Sequence, residues 1–179
     1  MWMRLGLWTT LIASCGGNSQ PVDPDADPHA PDAPPAMNSI AGDVGGLSFT
    51  TPMTVLRAGS PDDPATTVVY MFDHIVQCSE IIATGWDKRV QDHTQALEIK
   101  LRGHSVKSYL VSSGDALINY TLTSTTGTPV ESLATNGSAA LEAAVADGTK
   151  AQGNFDITFA TGHLSGRFDA TFCPGGKEP

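Results

Sequence analysis

The chain has 179 residues and a formal net charge of −9, with 40% hydrophobic residues, 18 glycines and 12 prolines. That length suits one domain plus accessory segments, and the abundance of Gly, Pro, Thr and Ser fits a turn-rich β-domain better than a helical bundle. The acidic balance, with no Lys/Arg cluster to offset it, argues against a phosphate-contacting nucleic-acid surface.

Residues 1–13 carry one positive charge, Arg4, followed by the apolar run LGLWTTLIA. About a dozen residues is too short for a bilayer-spanning helix, which needs roughly 20. A basic start, a short apolar core and small residues at its end are the marks of a secretory signal peptide over residues 1–14. The small residues run Ile12-Ala13-Ser14-Cys15. This run resembles a bacterial lipobox, in which the signal is cut before a cysteine that receives a diacylglyceryl group through its sulfur. The resemblance implies that Cys15 is a lipid attachment site. The competing reading is an ordinary signal with an incidental cysteine. Two or three acyl chains give stable anchoring where one is marginal. Gly16, not Asp, follows the cysteine; by resemblance to the enterobacterial sorting rule, this implies the outer membrane.

Residues 15–40 form the next segment. Six prolines lie between Pro21 and Pro35, interleaved with Asp23, Asp25, Asp27 and Asp32. Such a tract cannot bury a core, so a disordered spacer with local polyproline II stiffness is expected. Asp23-Pro-Asp25-Ala-Asp27 imitates the start of a calcium loop, but Pro28 stands where the turn needs Gly and no Glu closes the loop. Tails of this "PDAPP" kind after a lipobox resemble myxobacterial lipoproteins, a compositional likeness that implies no activity.

From residue 41 to 174 the apolar residues mostly alternate, which predicts strands. In GLSFTTPMTVLRA the inward positions are Leu47, Phe49, Met53 and Val55, with Pro52 at an edge or bulge. TTVVYMFDH is a β-branched and aromatic run. The segment Ile75–Thr94 breaks the alternation and predicts a long loop with a helical turn. QALEIKLRG sets Leu97, Ile99 and Leu101 on a buried face against Ala96, Glu98 and Lys100 on a wet one. SVKSYLVS and NYTLTST are two further strands around the turn Ser113-Gly114-Asp115. The alanine-rich residues 137–147 also suit a helix, but turn residues on both sides favour a strand. A hairpin follows, with Phe155, Ile157 and Phe159 on one arm, Phe168, Ala170 and Phe172 on the other, and ATGHLSG as its turn. Seven to eight such strands predict an all-β, mainly antiparallel sandwich or small barrel, with residues 175–179 as a flexible tail. The ending G-x-F-D-x-T-F … G-x-x-S-G-x-F-D-A-x-x-C resembles the C-terminal hairpin of uncharacterised bacterial lipoproteins, which again implies no activity.

Assigning Cys15 to lipid leaves Cys78 and Cys173, the even remainder expected of one disulfide outside the cytoplasm; the alternative is a reactive or metal-bound thiol. No G-x-S-x-G, H-E-x-x-H, Walker or C-x-x-C motif is present. Of the histidines, His29 lies in the spacer and His163 at the hairpin turn. Asp73-His74 and Asp92-His93, with Glu80 and Asp87, form the densest polar group, but their spacing does not specify a metal. Ser165 in LSGR belongs to the hairpin. Trp86, Asp87, Lys88 and Arg89 form a candidate binding loop, unless Trp86 simply plugs one end of the sandwich. The sequence therefore leads to a non-catalytic envelope lipoprotein with no cofactor or metal. Its expected partners are the membrane, through Cys15, and an envelope protein. A carrier of a small apolar ligand in a barrel interior is the second reading, and a hydrolase the third.

Overall fold

The computed structural model describes residues 38–49, 52–58, 65–80, 94–123, 129–146 and 148–174. Ten strands form among them: β1 (Ser39–Val44), β2 (Leu47–Ser48), β3 (Thr54–Ala58), β4 (Thr67–Phe72), β5 (Gln95–Leu101), β6 (Ser108–Leu110), β7 (Ala116–Thr123), β8 (Pro129–Leu141), β9 (Ala151–Phe159) and β10 (Gly162–Cys173). Residues 78–80 make the helical turn expected in the Ile75–Thr94 segment. Ala36–Pro179 forms one compact unit. Residues 1–37, expected as signal peptide and spacer, and residues 175–179, expected as a tail, lie outside the described residues. The first strand starts at Ser39, inside the stretch read as spacer and two residues before the expected boundary.

The fold is all-β and mainly antiparallel, as the alternation predicts. Its pairings fall into two groups, β2-β1-β10-β9-β8-β6 and β10-β3-β4-β5-β7-β8, which share the two longest strands. The early part of β8 pairs with β7 and its later part with β9; β10 pairs with β9 and β1, then runs parallel to β3 through Thr171–Cys173. The result is one ten-stranded sheet, its two layers continuous through β8 and β10, with a closed circuit β10-β3-β4-β5-β7-β8-β9. The strands exceed the expected number because β1 starts inside the stretch read as spacer and β2 is only two residues long, whereas β6 is the centre of the strand expected at SVKSYLVS.

One core fills the space between the layers. Its inward positions are Val69 and Met71 on β4, Leu97, Ile99 and Leu101 on β5, Ile118 and Tyr120 on β7, Phe155, Ile157 and Phe159 on β9, and Leu164 and Phe168 on β10, all buried. A second, smaller cluster lies on the other face of β3, β4 and β5: Leu56, Val68, Tyr70, Phe72 and Ala96, packed with Val76 and Cys173. The run TVVYMF is therefore apolar on both faces because both faces are covered, the pattern of a fully buried strand. Ala96, read as part of a wet face, is buried for the same reason. Leu47 and Met53 are 47% and 63% exposed, not inward; β2 is only two residues long, and Met53 precedes the start of β3. Their neighbours Phe49 and Val55 do enter the core.

Arg57 on β3 is the largest fully buried side chain among the described residues. Its Nη1 donates to the carbonyls of Ala146 and Thr149, at 3.0 and 2.9 Å, and its guanidinium lies 4.9 Å from the centre of the Phe172 ring. It thereby ties the turn before β9 to the β3–β10 seam. Arg57→Met is expected to cost ~2–3 kcal/mol in urea unfolding, because the turn loses both hydrogen bonds from a buried, charged donor. A midpoint unchanged from wild type would show that the turn holds itself.

Candidate functional site

Cys78 and Cys173 form the expected disulfide, with a Cα–Cα distance of 5.4 Å across a sequence separation of 95. Cys173 ends β10 and is fully buried, whereas Cys78 opens the helical turn and is half-buried. The bond pins the segment after β4 over the second cluster. In the same segment the Val76 amide donates to Thr54 Oγ1 at 3.0 Å, and the Glu80 carboxylate accepts the Gln77 amide as in a capping box. The candidate loop residues Trp86, Asp87, Lys88 and Arg89, and Cys15, the expected lipid site, lie outside the described residues, as do Asp92 and His93.

Of the polar group singled out in the sequence, Asp73 and His74 do meet. His74 Nδ1 donates to Asp73 Oδ1 at 2.9 Å, and Asp73 Oδ2 accepts the Gln95 amide at 2.8 Å. Gln95 Nε2 in turn donates to the Ser48 carbonyl at 3.1 Å. Asp73 thus joins the end of β4 to the start of β5, a structural task in which the histidine is held by its carboxylate. His104 is fixed differently. Thr67 Oγ1 gives its one proton to the Gly103 carbonyl at 2.7 Å, so the 2.8 Å contact with His104 requires the proton on His104 Nδ1. His163 is not at a turn: it sits on β10 facing Asp156 on β9, 3.0 Å from its Oδ1. No group of three or more His, Cys, Asp or Glu able to hold a metal occurs among the described residues.

Tyr120 is the most perturbed titratable group among the described residues. Its ring stands edge-on to Phe49 and Phe159, and its buried hydroxyl has no partner among the described residues. Burial, and secondarily the negative charge of Asp73, push its pKa up to about 12 from the ordinary 10.0. The neutral form is favoured in the fold, so this contribution is complete below pH 10. Between pH 10 and about 12 the unfolded chain loses the proton first and stability falls, by ~2–3 kcal/mol. Tyr120→Phe is expected to raise stability at neutral pH by ~1 kcal/mol, by removing an unsatisfied buried hydroxyl. It should also flatten the alkaline decline, leaving the part due to Tyr109, whose pKa burial also raises. Denaturant midpoints at pH 7 and 11 read both effects. A loss at pH 7 would show that the hydroxyl is bonded.

Among the described residues, a cleft of about 420 Å³ has the form of a ligand site, where β7 and β8 part. β7 pairs with β5 along its whole length up to Leu122, but with β8 only from Asn119 to Thr123. Beyond Leu133, β8 passes through a register shift between Ala134 and Asn136 and turns to β9. The gap is lined by Leu117, Leu133 and Val111 on its apolar side and by Lys100 and Arg102 on its charged side. Lys100 lies directly across from Leu117. Sequence reasoning missed this cleft. The available signal was phase: Leu117 and Leu133 lie on the face turned away from the main core, in line with the buried polar Asn119 and Thr121 and with Glu131, where alternation calls for polar residues.

No protein-family model matches the chain, and neither does any curated protein or solved structure.

Proposed function

We propose that the protein is an exported lipoprotein of the bacterial cell envelope, anchored through lipid on Cys15 and carrying a non-catalytic β-domain as a binding module. The Pro/Asp tract spaces that domain from the membrane. About 25 residues of polyproline II reach up to ~75 Å, and the absence of Asp after Cys15 favours the outer membrane. The observation that carries this reading is the pairing of Cys78 with Cys173. A disulfide inside a small domain suits an oxidising compartment, and it leaves Cys15, next to the apolar run, as the one cysteine still needing a role.

Two further observations support a binding module over the other readings. The inward positions of the closed circuit are filled by side chains such as Tyr120, Phe155 and Phe159, which weighs against a carrier with its ligand inside the barrel. The Asp73–His74 pair is engaged with the backbone of β5, which accounts for it without hydrolysis. Growing the producing bacterium with an alkyne-tagged fatty acid tests the anchor. The tag is expected in the wild-type protein and absent from Cys15→Ala; equal labelling of both would place the lipid elsewhere, and no labelling of either would sink the reading.

A further inference from the structure

We infer that the cleft between β7 and β8 binds a single-chain carboxylate, with its head on Lys100 and Arg102 and its hydrocarbon along Leu117, Leu133 and Val111. This rests on the binding-module reading but not on the anchor, so failure to label Cys15 and failure to bind a ligand are separate results.

Three observations carry it. The first is topological. Because β8 leaves β7 after Asn119↔Leu133, no strand among the described residues pairs with the edge of β7 opposite β5 over Ala116–Ile118, and the cleft is built into that corner. The second is apolar exposure. Leu117 and Leu133 are 55% and 57% exposed, on the same outward face and flanking Asn119. Two leucines held in water beside a concavity of this size, within the ~300–1,000 Å³ typical of small-molecule sites, favour a hydrocarbon guest over solvent. The third is charge. On a chain of net −9, Lys100 and Arg102 line the same cleft, and Arg102 forms no ion pair among the described residues. The acidic residues nearby are Glu98 on β5, Glu131 on β8 two residues before Leu133, and Asp115 just ahead of β7; Asp115 meets Arg102 through its carbonyl, which accepts the Arg102 amide at 2.8 Å. A guanidinium presents a planar fork that matches a carboxylate with two parallel hydrogen bonds. A carboxylate with an apolar tail satisfies both sides of the cleft at once, whereas a neutral or cationic amphiphile satisfies one.

Calorimetric titration of the full chain tests this, with Cys15→Ser so that no attached lipid competes and with the disulfide closed. Dodecanoate, kept below its micelle concentration, is expected to bind saturably at one site. Dodecanol and dodecyltrimethylammonium should bind at least tenfold more weakly. Arg102→Glu and Leu117→Asp, both at exposed positions, should each weaken dodecanoate at least tenfold with urea midpoints unchanged, while Leu47→Asp on β2 should leave affinity as it was. Absence of saturable binding, equal binding of the three amphiphiles, or wild-type affinity in either cleft variant overturns the assignment.

Discussion

Replacing Cys78 and Cys173 together by alanine is expected to lower the unfolding free energy by ~3–4 kcal/mol, and the melting temperature by roughly 10 °C. The sequence separation of 95 makes this one of the longer loops a single bond can close, and the chain-entropy gain rises with loop length toward ~4–5 kcal/mol. The location adds to it. Cys173 is the last residue of β10, where that strand runs parallel to β3 through only three pairs, and Pro174 follows immediately. Without the bond, this seam of the circuit is free to fray, and the segment carrying Val76 loses its tie to the second cluster. Urea unfolding of the oxidised wild type against the double variant measures the effect, and reducing the wild type should reproduce it. A difference below ~1 kcal/mol would mean that packing of Val76 and the Thr54 hydrogen bond already hold the segment.

Gly137→Val is expected to cost ~4 kcal/mol or more. Gly137 follows the register shift at which β8 leaves one layer for the other, and it adopts φ +105, a region that residues with a Cβ rarely enter. An added Cβ would also run into the backbone of Asp156 and Ile157 on β9. The strain and the collision act on the same corner, so the strand must either straighten, opening the circuit, or push β9 away from a core that includes Ile157 and Phe155. Far-UV circular dichroism during urea titration reads the loss. Wild-type stability would mean that the corner tolerates a conventional strand conformation and that β8 is not bent by necessity.

The sequence made some of this architecture legible because single-face burial writes a period of two. QALEIKLRG and GNFDITF show it, and both are strands with the anticipated faces inward. Long-range pairing writes nothing so local. The run ATGHLSG reads as a turn from its glycines and serine, yet only residues 160 and 161 turn. The rest already belongs to β10, and glycines stand at 162 and 166 because β1 crosses there so closely that a Cβ would meet the Asp43 or Ser39 carbonyl. The strand partner responsible lies more than a hundred residues away, and its first two residues, Ser39 and Ile40, fall in the stretch that reads as spacer. The cysteine pair was legible by arithmetic. The cleft was not, because it arises from a one-residue register shift in β8, and only the two out-of-phase leucines hint at it.

The account as a whole requires that no cysteine of the mature protein is free: Cys15 is alkylated by lipid, and Cys78 and Cys173 hold each other. The most direct measurement is a count of alkylatable thiols in protein taken from the membranes of an exporting bacterium, unfolded and unreduced, with the labelled peptides identified by mass spectrometry. The account predicts none. A labelled Cys15 would contradict the lipid anchor, and labelled Cys78 and Cys173 would contradict the disulfide on which the assignment to an oxidising compartment rests.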